Sequence, residues 1–232
     1  MLDFDFHKFL LTASVWVLPI LLAITMHEAA HGWVASKLGD NTAKSLGRVT
    51  FNPFKHIDLF GTILLPAALL VMSGGQYMFG FAKPVPVNFH NLRSPRRDMI
   101  LVAAAGPGAN ILIAVVSALL LHVAFRLPDP YAAFAGANLA NMLMINIILA
   151  VFNLFPIPPL DGGRIAVGLL PRPFSLWLAK LERFGFLIII FALFILPWIG
   201  DKINVNLNVV WWAVLVPSQF LIDVIVTITG VK

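Results

Sequence analysis

The chain of 232 residues contains no cysteine, which excludes a disulfide scaffold and a metal site built on thiolates. Charge is scarce as well. Asp, Glu, Lys and Arg make up 12% of the residues, about half the share found in soluble domains. Hydrophobic residues make up 59% of the chain. This composition excludes an ordinary soluble domain and predicts an integral membrane protein.

Five apolar runs are long enough to cross a bilayer. They lie at residues 9–36, 99–125, 137–155, 183–199 and 207–229. The sequence shows no internal repeat and no linker to a second unit. We therefore predict an all-α integral membrane fold, a polytopic helical bundle that forms a single membrane-embedded domain over residues 1–232.

The net charge of +5 does not indicate binding to nucleic acid, because the basic residues fall in short segments beside the apolar runs. Most of them lie between residues 37 and 97 or between residues 164 and 183. Basic residues favour the cytoplasmic side of a membrane. We therefore predict a multi-pass protein of the cell membrane, with its N-terminus outside and its C-terminus in the cytoplasm.

A shorter apolar stretch, residues 59–73, lies between two segments that this rule places on the cytoplasmic side. A single crossing there would put its two flanks on opposite sides of the membrane. We therefore predict that the stretch is re-entrant or lies in the interface. The alternative is a sixth full span that breaks the charge rule on one side.

Three ionisable residues, His27, Glu28 and His31, lie at the end of the first apolar run. Positions i and i+4 share one face of a helix, so the two imidazoles can bind one metal ion. Glu28 can reach a water on that metal without being a ligand. The pattern is the HExxH motif, in which two histidines bind zinc and the glutamate is a general base. The alternative is that the three side chains only satisfy one another or line a polar cavity.

A catalytic zinc site needs a third protein ligand. The other histidines are His7, His56, His90 and His122. The better candidate is Asp161 in NLFPIPPLDGGR (153–164), where prolines end the predicted helix at residues 137–155 and hold the chain extended. Asp161 and His27 both follow helices that run from outside to inside, so both reach the cytoplasmic side. The alternative is that Asp161 only caps the segment after it.

The two metal motifs, HEAAH and N-x-x-P followed by L-D-G-G, resemble those of the site-2 protease family of intramembrane zinc metalloproteases. AAAGPGAN (103–110) and FGFAKPVPVN (79–88) are similar to segments of its short bacterial and archaeal members, which lack PDZ and CBS domains. The resemblance implies that His27, His31 and Asp161 hold one catalytic zinc ion and that Glu28 activates a zinc-bound water. The same ligand set does not by itself exclude iron or cobalt.

The resemblance also implies the substrate and further site residues. The substrate would be a transmembrane protein, cut within or next to its membrane segment in regulated intramembrane proteolysis. Asn153 would help to hold the substrate or the oxyanion, although it could equally be a helix-terminal hydrogen bonder. The remaining positions are substrate-binding residues of a loop that forms a small β-hairpin near the active site, Lys83, Pro84, Val85, Pro86 and Val87, and structural residues, Gly106, Gly108, Asn110, Pro156 and Gly162.

Two other classes of protein stay open, a zinc transporter and a non-proteolytic membrane protein that binds metal. A transporter usually needs polar groups throughout the bilayer and repeated or broken helices. Here the polar residues cluster at one depth and no repeat is visible, so the sequence favours the protease. Its expected partners are the lipid bilayer and the substrate, without nucleic acid, and a homo-oligomer is left open.

Overall fold

The structure is a computed structural model that describes residues 6–72 and 80–231. Its α-helices are α1 (Phe6–Lys37), α2 (Thr42–Ser45), α3 (Leu65–Met72), α4 (Pro95–Ala124), α5 (Tyr131–Asn153), α6 (Asp161–Leu169), α7 (Arg172–Lys180), α8 (Glu182–Ile190), α9 (Leu196–Ile203) and α10 (Val216–Thr229). Two short 3-10 turns lie at Pro53–Lys55 and Phe89–Asn91. The described residues contain no β-strand, which confirms the all-α prediction.

Wide helical turns of the π type precede three of these helices and share one cause. They are Leu59–Leu64, Phe191–Ile195 and Trp211–Leu215, and each ends two residues before a proline. The residue just before each proline donates its N–H five residues back, as Leu65 does to Phe60. A proline ring crowds the preceding turn of a helix, and a wider turn accommodates it. Helix α8 thereby continues into α9.

Five helices are long and apolar enough to cross a membrane, as predicted. They are Leu10–Lys37, Pro95–Ala124, Tyr131–Asn153, Glu182–Ile203 and Trp211–Thr229. The largest difference from the prediction is at the start of α5, which begins at residue 131 rather than 137. Pro130 is the N-cap residue of α5, and a proline at this edge costs no helical hydrogen bond because the first N–H groups of a helix have no partner within it.

The segment Leu59–Met72 is helical but short. At about 1.5 Å per residue it is roughly 21 Å long, less than the thickness of a hydrocarbon core. It therefore does not form a sixth full span within the described residues. Its re-entry stays a prediction, and residue 73, at the end of the predicted stretch, lies outside the described residues.

The predicted β-hairpin at residues 79–88 is not found in the described part of the chain, which omits residue 79. Residues 80–88 run without secondary structure, and their N–H groups bind partners other than a second strand. The N–H of Phe81 donates to the Gly61 carbonyl at 3.0 Å, and that of Lys83 to the His56 carbonyl at 2.9 Å. Prolines at positions 84 and 86 have no N–H to donate. A regular hairpin ladder is therefore not available.

The centre of the bundle is α4, which packs on α5, α1 and α6. Its small residues Ala114 and Ala118 are fully buried against Leu143 and Ile147 of α5. Small residues let membrane helices approach each other closely. The end of the bundle where α1, α4 and α6 meet holds the candidate site.

Candidate metal centre

Three predicted ligands, His27, His31 and Asp161, come together although α1 and α6 are far apart in the chain. The two Nε2 atoms lie 3.1 Å apart, and Oδ2 of Asp161 lies 3.2 Å from the first and 3.3 Å from the second. Tetrahedral zinc with bonds of about 2.0–2.2 Å separates its ligand atoms by roughly 3.3–3.6 Å. All three residues are buried. The three separations lie within about 0.2 Å of this range, so one zinc ion fits the ligand triangle after a small outward shift of the ligand atoms.

The far nitrogen of each imidazole is held by an oxygen that can only accept. Nδ1 of His31 lies 2.7 Å from the Val102 carbonyl, and Nδ1 of His27 lies 2.6 Å from Oδ1 of Asn110. Each neutral ring therefore carries its proton on Nδ1 and presents a lone pair on Nε2. Among the described residues, Oδ2 of Asp161 is buried without a hydrogen-bond donor. Such a convergence of acceptors fits a bound cation.

Gly106 of α4 faces the ligand triangle directly. A Cβ atom at this position would lie 2.4 Å from Nε2 of His31 and 2.7 Å from Nε2 of His27. Any side chain there would fill the space between the ligand atoms. Gly106 thus packs directly against the imidazoles, whereas a Cβ at Gly108 would meet none of the described residues within 4 Å.

The loop that delivers Asp161 folds back onto its own helix. A Cβ at Gly162 would lie 2.0 Å from the Leu154 carbonyl oxygen, and one at Gly163 would lie 2.2 Å from the nitrogen of Pro158. Helix α8 closes the other side, because a Cβ at Gly185 would lie 1.8 Å from the Pro158 carbonyl oxygen. Glycine is thus required at these three positions, because backbone atoms lie too close for a side chain. Pro156, predicted to be structural, is exposed in this loop.

Glu28 is half-buried, one position after His27 on α1. Its carboxylate accepts a hydrogen bond of 2.7 Å from the backbone N–H of Val85. Residues 83–87 therefore lie beside the predicted base. Arg48 also binds this segment, because its guanidinium donates a hydrogen bond to the Lys83 carbonyl at 2.8 Å.

Asp40 fixes the other end of the same segment. Its carboxylate accepts from the N–H of Asn88 at 2.7 Å, from the side chain of Asn91 at 3.1 Å and from Thr42. Burial alone would raise the pKa of Asp40, but these hydrogen bonds outweigh burial and lower the pKa. Asp40 is therefore held as a carboxylate beyond the end of α1.

Several predicted candidates lie outside the ligand triangle. Asn153 donates to the Leu149 carbonyl one turn back at 2.9 Å, so its amide is bonded within α5. His56 and His122 each bond to a backbone carbonyl elsewhere in the fold. His27, His31 and Asp161 form the one group of potential metal ligands within the described residues.

Residues 15–137 and 131–196 match peptidase family M50. The chain belongs to this family, that of the site-2 proteases. This membership confirms the resemblance of the motifs. With five apolar helices and a zinc-sized ligand triangle, this M50 chain is a membrane zinc metalloprotease by family.

Named relatives agree with the family. The chain is 38% identical over 185 residues to "Putative zinc metalloprotease YwhC" of Bacillus subtilis, covering 78% of this chain and 80% of that protein. It is 30% identical over 186 residues to "Putative zinc metalloprotease Rip2" of Mycolicibacterium smegmatis, covering 80% and 67%. Identity to Rip2 of Mycobacterium tuberculosis is 30% over 203 residues, covering 86% and 74%. No solved structure matches the chain.

Some contributors to the site carry no signal in the sequence, and others carry one that predicts only packing. The Val102 carbonyl and Gly185 carry no motif, and Asn110 was expected to pack rather than to hold His27. Asn146 of α5 was also missed. Its signal was present, because a polar residue inside an apolar span usually has a hydrogen-bonding partner.

Proposed function

We propose that this M50 protein hydrolyses peptide bonds within or next to the transmembrane segments of membrane proteins. The observation that carries the proposal is the placement of Glu28, which follows the predicted ligand His27 on α1 and accepts a hydrogen bond from segment 80–88. The base would thus lie next to both the metal and the substrate. His27, His31 and Asp161 would hold zinc.

The chemistry follows from these positions. When bound, zinc supplies a Lewis acid that polarises the scissile carbonyl and lowers the pKa of water to about 7. The carboxylate of Glu28 takes a proton from the attacking water as the new C–O bond forms. It then delivers that proton to the leaving nitrogen as the C–N bond breaks.

Asn153 would assist after a change of partner. Its amide now donates to the Leu149 carbonyl, and a rotated side chain would be free to donate to the oxyanion or to the substrate backbone. Loss of an oxyanion donor costs roughly a hundredfold or more in rate. Asn153→Ala would therefore slow cleavage and leave zinc content unchanged.

The topology that fits this proposal places the N-terminus outside and the C-terminus in the cytoplasm. The ligand triangle then lies towards the cytoplasmic side, where the polar segments after α1 and α5 give water a route to it. A substrate helix must unwind before its amides can be reached. We therefore expect Gly, Pro or Asn near the cut to favour cleavage, with Leu59–Met72 entering the membrane from the same side.

The experiment is cleavage of a model transmembrane substrate in liposomes by the wild type and by Glu28→Gln, with zinc content measured on both. The proposal expects the wild type to cut and the variant to hold zinc without cutting. Full activity in a zinc-loaded Glu28→Gln protein would refute the role of the base. If both hold zinc and neither cuts a helix-destabilised substrate, a zinc-flux assay would test the transporter class instead.

A further inference from the structure

A second asparagine lies behind the ligand triangle, beyond Asn110. Oδ1 of Asn146 accepts a hydrogen bond of 2.7 Å from Nδ2 of Asn110, whose Oδ1 in turn lies 2.6 Å from Nδ1 of His27. Both asparagines have no exposed surface. One chain of hydrogen bonds thus runs from α5 through α4 to a predicted zinc ligand on α1.

Backbone carbonyls fix the direction of every bond in this chain. Nδ2 of Asn146 donates to the Met142 carbonyl at 2.8 Å, so its Oδ1 must face Asn110. Nδ2 of Asn110 also donates to the Ala23 carbonyl at 3.2 Å, so its Oδ1 must face His27. An oxygen at that position can only accept, and the imidazole must therefore carry its proton on Nδ1.

We propose that Asn146 is a positioning residue of the metal centre, which sets the tautomer of His27 through Asn110. The inference rests on the proposed zinc site. Of the two acceptors that hold the amide of Asn110, Asn146 makes the shorter bond. Without it only the longer bond to the Ala23 carbonyl holds the amide of Asn110. The amide then turns more easily, and a turned amide would present Nδ2 to the imidazole. The proton of His27 would then move to Nε2, which could no longer bind zinc.

A purely structural role makes a different prediction, and α5 offers a matched control. Asn141 lies on the same helix and donates to the Val15 carbonyl of α1 at 2.9 Å, without bonding to Asn110 or His27. Asn141→Leu therefore removes one interhelical hydrogen bond but leaves the chain of bonds intact. Asn146→Leu also removes one interhelical hydrogen bond, the bond to Asn110, and thereby breaks the chain of bonds to His27.

The first measurement is the zinc dissociation constant of the full-length protein in detergent, by competition with a chromophoric chelator. Outer-shell partners of metal ligands typically change metal affinity by about 10- to 100-fold. We expect Asn146→Leu to bind zinc roughly tenfold more weakly than the wild type. Asn141→Leu should stay within about twofold. Equal loss in the two variants would mean that Asn146 only ties helices together.

Two further variants separate positioning from packing. Asn146→Asp keeps an acceptor oxygen for Asn110 and should retain most of the zinc affinity, so a loss equal to that of Asn146→Leu would overturn the inference. The double variant Asn110→Leu with Asn146→Leu should bind zinc no more weakly than Asn110→Leu alone, because Asn146 acts only through Asn110. Losses that multiply would contradict this.

The same data distinguish the two levels of the proposal. A wild-type protein that fails to bind zinc would overturn the metal centre and the role of Asn146 together. If the wild type and Asn146→Leu bind zinc with equal affinity, only the positioning role is overturned. In that case the proposed protease function would stand unchanged.

Discussion

The carboxylate of Glu28 and the backbone N–H of Val85 are joined by a hydrogen bond of 2.7 Å. The side chain of Val85 is also buried, and a Cβ at Gly32 of α1 would lie 3.1 Å from it. Residues 80–88 thus pack at Val85 against the helix that carries the predicted base. The orientation of the predicted base therefore depends on a backbone group of the predicted substrate segment.

Val85→Pro removes this N–H and should lower the rate of cleavage without changing zinc content. A hydrogen bond to a charged group contributes about 1.5–3 kcal/mol, which corresponds to a loss of roughly 10- to 100-fold in kcat. Val85→Ala keeps the N–H and loses only side-chain packing, so it separates the two effects. Equal rates for the two variants, measured on one model substrate, would show that the N–H does not orient Glu28.

Gly106→Ala should abolish zinc binding, because the added methyl group would occupy the space between the ligand atoms of His27 and His31. Gly108→Ala is the matched control, since an added Cβ there comes within 4 Å of no atom in the part of the chain that the structure describes. Zinc content after purification measures both. Stoichiometric zinc in a folded Gly106→Ala protein would place the metal elsewhere.

The local pattern of the sequence was sufficient to predict that His27, His31 and Asp161 lie close together. The spacing of His27 and His31 fixes their shared face on a helix, and the prolines before Asp161 end a span on the side where the charge rule predicts the histidines. Their proximity then follows from topology alone. Helix length and hydropathy likewise predicted the five spans.

The rest of the site depends on the register between helices, which no local pattern encodes. Asn146 reaches Asn110 because small residues let α4 and α5 approach closely. Asn110 reaches His27 because α4 also lies close to α1, where Gly106 leaves room for the imidazoles. The hairpin prediction failed for a similar reason. The N–H groups of Phe81 and Lys83 bond to segments distant in sequence, and that competition is visible only in the fold.

Gly185→Ala should weaken zinc binding, although α8, which carries Gly185, contributes no ligand. The added Cβ would lie 1.8 Å from the Pro158 carbonyl oxygen and push the loop that carries Asp161. Gly136→Ala is the control, since its Cβ would lie 3.4 Å from the Phe125 ring, at an ordinary contact distance. Chelator competition should show at least a tenfold weaker affinity in Gly185→Ala, on the scale of an outer-shell change. Unchanged affinity would mean that the loop adjusts freely.

Asp40→Asn should destabilise the protein in a way that depends on pH. The folded pKa of Asp40 lies below the ordinary value of 3.8, so its carboxylate stabilises the fold above that pH and loses this effect as the pH falls through the folded pKa. We expect a loss of about 1–3 kcal/mol at neutral pH, because the substituted side-chain amide would turn an N–H group towards donors that now bond to the carboxylate. Thermal unfolding in detergent should show this difference shrinking below about pH 4.

The control is Asp201→Asn at an exposed position, with an expected change in stability within about 0.5 kcal/mol. A difference that stays constant down to pH 3 would show that the charge of Asp40 does not contribute.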